Sequence, residues 1–255
     1  MYYSEQQLID LANEVATVPQ KYQSLLFSYH DRQYQTARGR EFALHGFLRR
    51  IGTLRRCVDR VFALLPPALE NIPNDDTRED ATIALQAFIF NVFGCLDNLT
   101  WVWVEEKAVR KADGTPLAPN AIGLGSKYTR VRESFSDAFR TYLQTREGWF
   151  AHIEGYRHAL AHRIPLYIPP HNVSPDNQAA YLALEQQITA AVISGDTNLE
   201  SELRGQQQSL MFFRPWMTHS FEEQAPIMVI HPQILADFNT VEELALRILA
   251  ELNQP

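Results

Sequence analysis

Residues 81–104 are so nearly continuous in apolar side chains that they constrain the fold of the whole chain. A membrane span needs an uninterrupted run of ~20 apolar residues. This stretch is broken by Gln86, Asn91, Asp97, Asn98 and Thr100, so it reads instead as a buried core helix. A helix that is apolar almost all round has no solvent face, and its place is the centre of a bundle. One row within it differs. Ala87, Asn91, Gly94 and Asn98 fall at i, i+4, i+7 and i+11, a small and polar face where another helix can approach closely.

The flanking sequence supplies helices to surround that centre. Ser4 with Gln7 is a capping-box pattern, predicting a helix to about Tyr29. Phe47, Ile51, Leu54, Val58, Val61 and Phe62 recur at helical spacing within a second helix over residues 40–65, which Pro66-Pro67 ends. Asp76 and Glu79 are expected to cap the central helix, which runs to about Lys111. A Gly- and Pro-containing loop over 112–126 precedes a fourth helix at 127–144 and a fifth at 147–161, stopped by Ile164-Pro165. Ser174-Pro175 starts a further helix to about Ile193, and another covers 197–207. Leu210–Met217 and Ile227–Ile230 predict a β-hairpin, and Thr240 with Glu243 the cap of a last helix. The Pro-rich segment 164–176 is the candidate boundary between a bundle (1–165) and an appended region (166–255), the two forming one structural unit.

Composition sets limits on function. The net charge of −7 argues against a nucleic-acid binder that works by bulk charge, leaving only local basic patches. Cys57 and Cys95 lie in apolar helical runs, which suits a reducing cytoplasm and provides neither a disulfide framework nor a cysteine metal site. The N-terminal residues carry no secretory signal pattern, so the expected location is cytoplasmic.

The segment Arg157-His158-Ala159-Leu160-Ala161-His162 carries the chemistry. Arginine offers a permanent planar cation suited to phosphate, and histidine titrates near neutrality and can move a proton. Together they are a minimal kit for cleaving RNA without a metal: the histidine assists attack by the ribose 2′-hydroxyl, and the arginine stabilises charge on the phosphate. Five residues along a helix separate the two side chains by about 140°. A cleft between helices, or between two copies of the chain, would bring them together better than one helix does.

This segment resembles the R-x4-H motif of the HEPN superfamily (higher eukaryotes and prokaryotes nucleotide-binding), in which the residue after the arginine is commonly polar, as His158 is. The resemblance covers about residues 1–165. It implies a mainly α, HEPN-like helical bundle, here extended by C-terminal helices and a small β-hairpin. It further implies a metal-independent endoribonuclease without cofactor, acting as a homodimer on RNA. Such proteins belong to toxin–antitoxin, abortive-infection and other defence systems, so an antitoxin or defence partner protein is expected. Arg157 and His162 would be the catalytic pair and His158 an auxiliary polar group. Asp97 and Asn98 are the two candidates for the supporting acidic or amide residue of an earlier helix. The R-x4-H-x-Y form of some members is not met, because Ile164 holds the tyrosine position. The resemblance therefore points to a bacterial branch without that tyrosine. A non-catalytic RNA- or protein-binding or regulatory module on the same bundle is the alternative.

Other constellations compete. Glu154, His158 and His162 line one helical face at i, i+4 and i+8, a spacing that can hold zinc, although no fourth ligand is evident and no metal is expected. Arg49, Arg56 and Arg60 share a face of the second helix, and with Arg163 they offer candidates for the RNA backbone: Arg56, Arg60 and Arg163. Lys107, Arg110, Lys111, Lys127, Arg130 and Arg132 form a second basic group; in both, balancing acids make a solvated face the simpler explanation. Trp101 and Trp103, inside the apolar run, are expected in the core, and Trp149 is a further residue able to stack on bases. Gly123-Leu124-Gly125-Ser126-Lys127 falls short of a phosphate loop, and neither a G-x-S-x-G nor an H-E-x-x-H motif occurs.

Overall fold

The protein's computed structural model describes residues 2–223 and 225–254. Its centre is helix α4, Asp75–Glu106, preceded by α1 (Glu5–His30), α2 (Ala37–Glu41) and α3 (Leu48–Leu64). Leu85, Phe88, Val92, Cys95, Leu99 and Val102 of α4 are fully enclosed. By length and composition α4 could cross a membrane; here α2, α3 and other helices of the bundle cover it. Burial of this kind, at about 25 cal/mol per Å² of apolar surface, is the main force holding such a bundle.

Local signals explain most helix ends. Ser4 forms the full capping box with Gln7, and α1 runs through Pro19, where one backbone bond is lost without ending the helix. The cap of α4 is Asn74 rather than Asp76. Its extended backbone turns its side-chain oxygen onto the Thr77 N–H at 2.8 Å, leaving Asp75 and Asp76 in the first turn, where negative charge is favoured. The expected helix over 40–65 begins earlier, as α2, and passes through a π-helical stretch (Phe42–Phe47) into α3. The buried carboxylate of Glu106 fixes the link before α2, accepting from the N–H groups of Gln35 and Thr36 and from the Thr36 hydroxyl.

The small stripe on α4 does receive a neighbour. Arg50 of α3 lies across it, donating to Asn91 at 3.2 Å and Asn98 at 3.0 Å, and a side chain at Gly94 would overlap the guanidinium. Beyond α4, the helix expected over 127–144 is two, α5 (Thr129–Glu133) and α6 (Asp137–Thr145). Ser136 makes the break. It caps α6 through the Phe139 N–H, while its own N–H and hydroxyl donate to the Glu251 carboxylate.

Helix α7 (Glu147–His162) follows as the spacing predicts, then α8 (Gln178–Ser194) and α9 (Thr197–Gln208). Gly195 ends α8 in the left-handed conformation at φ 75°, where a glycine carries no steric cost, and Asp196 caps α9. These two helices share a small core of their own: Ile188, Ala191 and Leu203.

The predicted hairpin forms between residues 216–217 and 228–229, while the start of its first segment joins a second antiparallel pair. Strand β1 (Asn172–Val173) pairs with β2 (Met211–Phe212), and β3 (Trp216–Met217) pairs with β4 (Met228–Val229). Pro215 lies between β2 and β3 and has no N–H to give a continuous ladder, so the apolar run 210–217 cannot form one strand. The last helix, α10 (Ile230–Leu252), starts ten residues before the expected cap. Thr240 is interior to it, its hydroxyl turned to the Ala236 carbonyl, because an apolar stripe from Ile234 through Phe238, Val241 and Leu244 to Ile248 continues past it. This helix packs on α1, α3 and α4, so the C-terminal region supplies one wall of the bundle core.

Candidate functional site

Helix α7 is oriented by its buried residues Phe150, Ile153, Tyr156 and Ala159, which recur every three positions against the core. It ends at His162, and Arg163 departs from helical geometry two residues before Pro165, which could not itself continue the helix. That orientation decides where the R-x4-H residues go. Arg157 is half-buried and turns toward α4, its guanidinium 5.1 Å from the centre of the Phe93 ring. His158 and His162 are exposed, one turn apart, with ring centres 5.1 Å from each other. No hydrogen bond joins Arg157 to His162 among the described residues. The pair is splayed, as the helical geometry of the sequence requires.

Of the two supporting candidates, Asp97 stands on the Arg157 side. One turn beyond Phe93 on α4, it is half-buried, and burial pushes its carboxyl up to about 6, against the opposing pull of Arg157 and then Arg50. It makes no hydrogen bond or ion pair among the described residues. Asn98 belongs to the other face of α4, engaged by Arg50.

The remaining sequence candidates are dispersed. Arg163 pairs with Glu223 at 3.2 Å and Arg60 with Asp80 at 2.7 Å, both at exposed positions, whereas Arg56 is exposed on α3 with no hydrogen bond or ion pair among the described residues. Exposed pairs of this kind are weak and leave the arginines available to exchange partners. Glu154 turns away from Arg157 to Lys127 at 2.6 Å, which also removes it from the row that might have held zinc. Among the described residues no group of three histidine, cysteine or acidic side chains is arranged for a metal ion. Cys57 and Cys95 are buried free thiols, and burial raises the Cys57 thiol to about 11. Trp103 packs in the core against Phe135, Trp101 stacks on Phe42, and Trp149 donates to Asp237 at 2.8 Å.

A pocket of about 200 Å³ opens between α4, α7 and the loop 123–128. Its walls include Phe93, Leu96 and Phe150, with Asp97 at one side and Tyr128 at another. Arg132 holds the loop, donating to the Leu124 carbonyl at 2.6 Å and pairing with Glu147, while Lys127 ties it to Glu154. Two of the six cations of the second basic group, Arg132 and Lys127, are thus spent on fixing a loop. Sequence reading set this loop aside for want of a phosphate-loop pattern; its glycines and Lys127 were the available signal that chain and ligand could meet there.

The same helix carries a second polar group, buried. The Asp237 carboxylate of α10 accepts from Trp149 and Gln233 on one oxygen, and its other oxygen has no partner among the described residues. His152 and Tyr156 follow Trp149 along α7, and Tyr156 donates to the Pro226 carbonyl at 2.7 Å.

The chain matches no protein-family model, no curated protein and no solved structure. What it offers chemically is a fixed cation and a titratable carboxyl at one cleft, with two imidazoles on the adjoining exposed surface.

Proposed function

We propose that the chain is a HEPN-type, metal-independent endoribonuclease that acts as a homodimer in the cytoplasm. The observation that carries this reading is that Asp97 on α4 lies within electrostatic reach of Arg157 on α7, two residues that the motif and its expected acidic support nominate for one site. His162 accepts the 2′-hydroxyl proton as that oxygen attacks phosphorus. Arg157 stabilises the negative charge that develops, and the 5′-oxygen leaves with a proton from an imidazolium of the same cleft. Asp97 adds a negative charge within electrostatic reach of the guanidinium. Because His162 faces solvent while Arg157 faces α4, the working cleft takes its arginine from one protomer and its histidine from the other.

The test is RNA cleavage by purified protein in excess chelator, with the product ends identified. The expected products carry a 2′,3′-cyclic phosphate and a 5′-hydroxyl. Cleavage that requires an added divalent cation, or that leaves a 3′-hydroxyl, overturns the mechanism. The second reading, a non-catalytic module that binds RNA or a partner protein such as an antitoxin or defence component, is favoured by the engagement of Arg157 with Phe93 in the single chain. It expects stable binding without turnover.

A further inference from the structure

The pocket beside Arg157 has an acceptor that the chain itself does not use. Glu147 and Glu154 at its edge are matched by Arg132 and Lys127, so their charges are spoken for. Asp97 lines the pocket with no hydrogen-bond donor or ion-pair partner among the described residues. The same pocket is lined by the apolar residues Phe93, Leu96 and Phe150 and by Tyr128. A carboxylate on an apolar wall is costly unless donors meet it, so this site favours a flat, apolar-faced ligand with N–H groups on one edge. At about 200 Å³ it is the size of one base rather than of a base pair.

We propose that this pocket takes a single unstacked guanine, whose N1–H and N2–H donate together to the two carboxylate oxygens of Asp97. Guanine alone among the four bases has two neighbouring donors on that edge. Cytosine and adenine present an amino group beside an acceptor, and uracil presents one donor between two acceptors. Phe93, Phe150 and Tyr128 provide an apolar, sequence-tolerant lining, and the carboxylate supplies the discrimination. Arg157 stands next to the pocket, its guanidinium over the Phe93 ring that lines it, within reach of a bound nucleotide's phosphate. The ligand's identity as RNA rests on the ribonuclease reading; the choice of guanine rests on the pocket.

The experiment is calorimetric titration of the intact protein with GMP, AMP, CMP and UMP in turn, and with spermidine as a cation lacking a base. GMP is expected to bind at least tenfold more tightly than the other nucleotides, the discrimination that a good bidentate contact to a base provides. Asp97→Asn removes that preference, and Ala151→Phe, a substitution at an exposed residue of the pocket edge, blocks all four nucleotides. Equal affinity for the four nucleotides overturns the proposal. So does a GMP preference that survives both substitutions, or spermidine binding that displaces GMP. If GMP selectivity depends on Asp97 in a protein that never cleaves RNA, the ribonuclease reading fails and the guanine pocket stands. Cleavage with a cyclic phosphate end but no GMP preference gives the reverse.

Discussion

Arg157→Ala and His162→Ala are each expected to lower RNA cleavage by about 100-fold or more, the range of a lost proton-transfer group or a lost charge stabiliser. Neither change should unfold the protein. His162 is exposed and its ring meets that of His158, so its truncation falls among surface substitutions worth about 0.5 kcal/mol or less. Arg157 loses its contact with the Phe93 ring, about 0.5–1 kcal/mol for a partly exposed cation–aromatic pair. Melting curves of both variants, measured beside the activity, separate loss of chemistry from loss of fold. Mixing the two variants tests the shared cleft. If arginine and histidine come from different protomers, a mixed dimer keeps one intact site and activity returns. If each protomer holds its own pair, the mixture stays as inactive as its components, and the dimeric cleft is wrong.

Asp237→Asn is expected to raise the melting temperature by several degrees at pH 7 and to change it little near pH 4. Asp237 is fully enclosed, and burial lifts its carboxyl from 3.8 to about 6, the Trp149 and Gln233 hydrogen bonds only partly opposing this. Between those values the folded chain holds a proton that the unfolded chain has lost. Stability therefore falls as pH rises through the window, by about 3 kcal/mol for two pH units. Asparagine keeps the acceptor that Trp149 and Gln233 use and carries no charge to bury.

His231, in the first turn of the same helix, acts in the opposite sense. It is buried between Tyr3 and Phe62; its Nε2–H donates to the Leu65 carbonyl at 2.6 Å, and its Nδ1 accepts from the Tyr3 hydroxyl. Burial depresses it to about 4, so as pH falls below 6.5 the unfolded chain gains a proton that the folded chain refuses, and stability drops. In the wild type the two slopes oppose each other. The Asp237→Asn protein, with only the half-buried Asp97 left to offset His231 among these groups, should lose stability toward acid more steeply. A pH series of melting temperatures in which both proteins run parallel would show that Asp237 is already ionised in the fold at no cost.

How much of this was legible beforehand depends on what each residue needs as context. The position of α7 and its end were readable because Ile164-Pro165 acts locally, through the sterics of one peptide unit. The stripe on α4 was readable because small residues at helical spacing have one plain use. Thr240 misled because its cap pattern is local, while the apolar stripe that continues through it is satisfied only by α1, α3 and α4. Asp97 and Asn98 could not be told apart. Adjacent residues on a helix differ by about 100°, and an all-apolar helix does not announce which direction faces which neighbour. The pairing of β1 with β2 joins segments nearly forty residues apart, and two-residue strands carry no pattern of their own.

The paired segment at the foot of α8 and α9 has a further consequence. Strands β1 and β2 bring the chain back together on either side of the two helices, whose shared core of Ile188, Ala191 and Leu203 is separate from the main one. A core so small and separate contributes little to the cooperative melting of the bundle. The pair has the makings of an independent opening unit, able to fray and re-form at low free-energy cost while the α4 core stays closed.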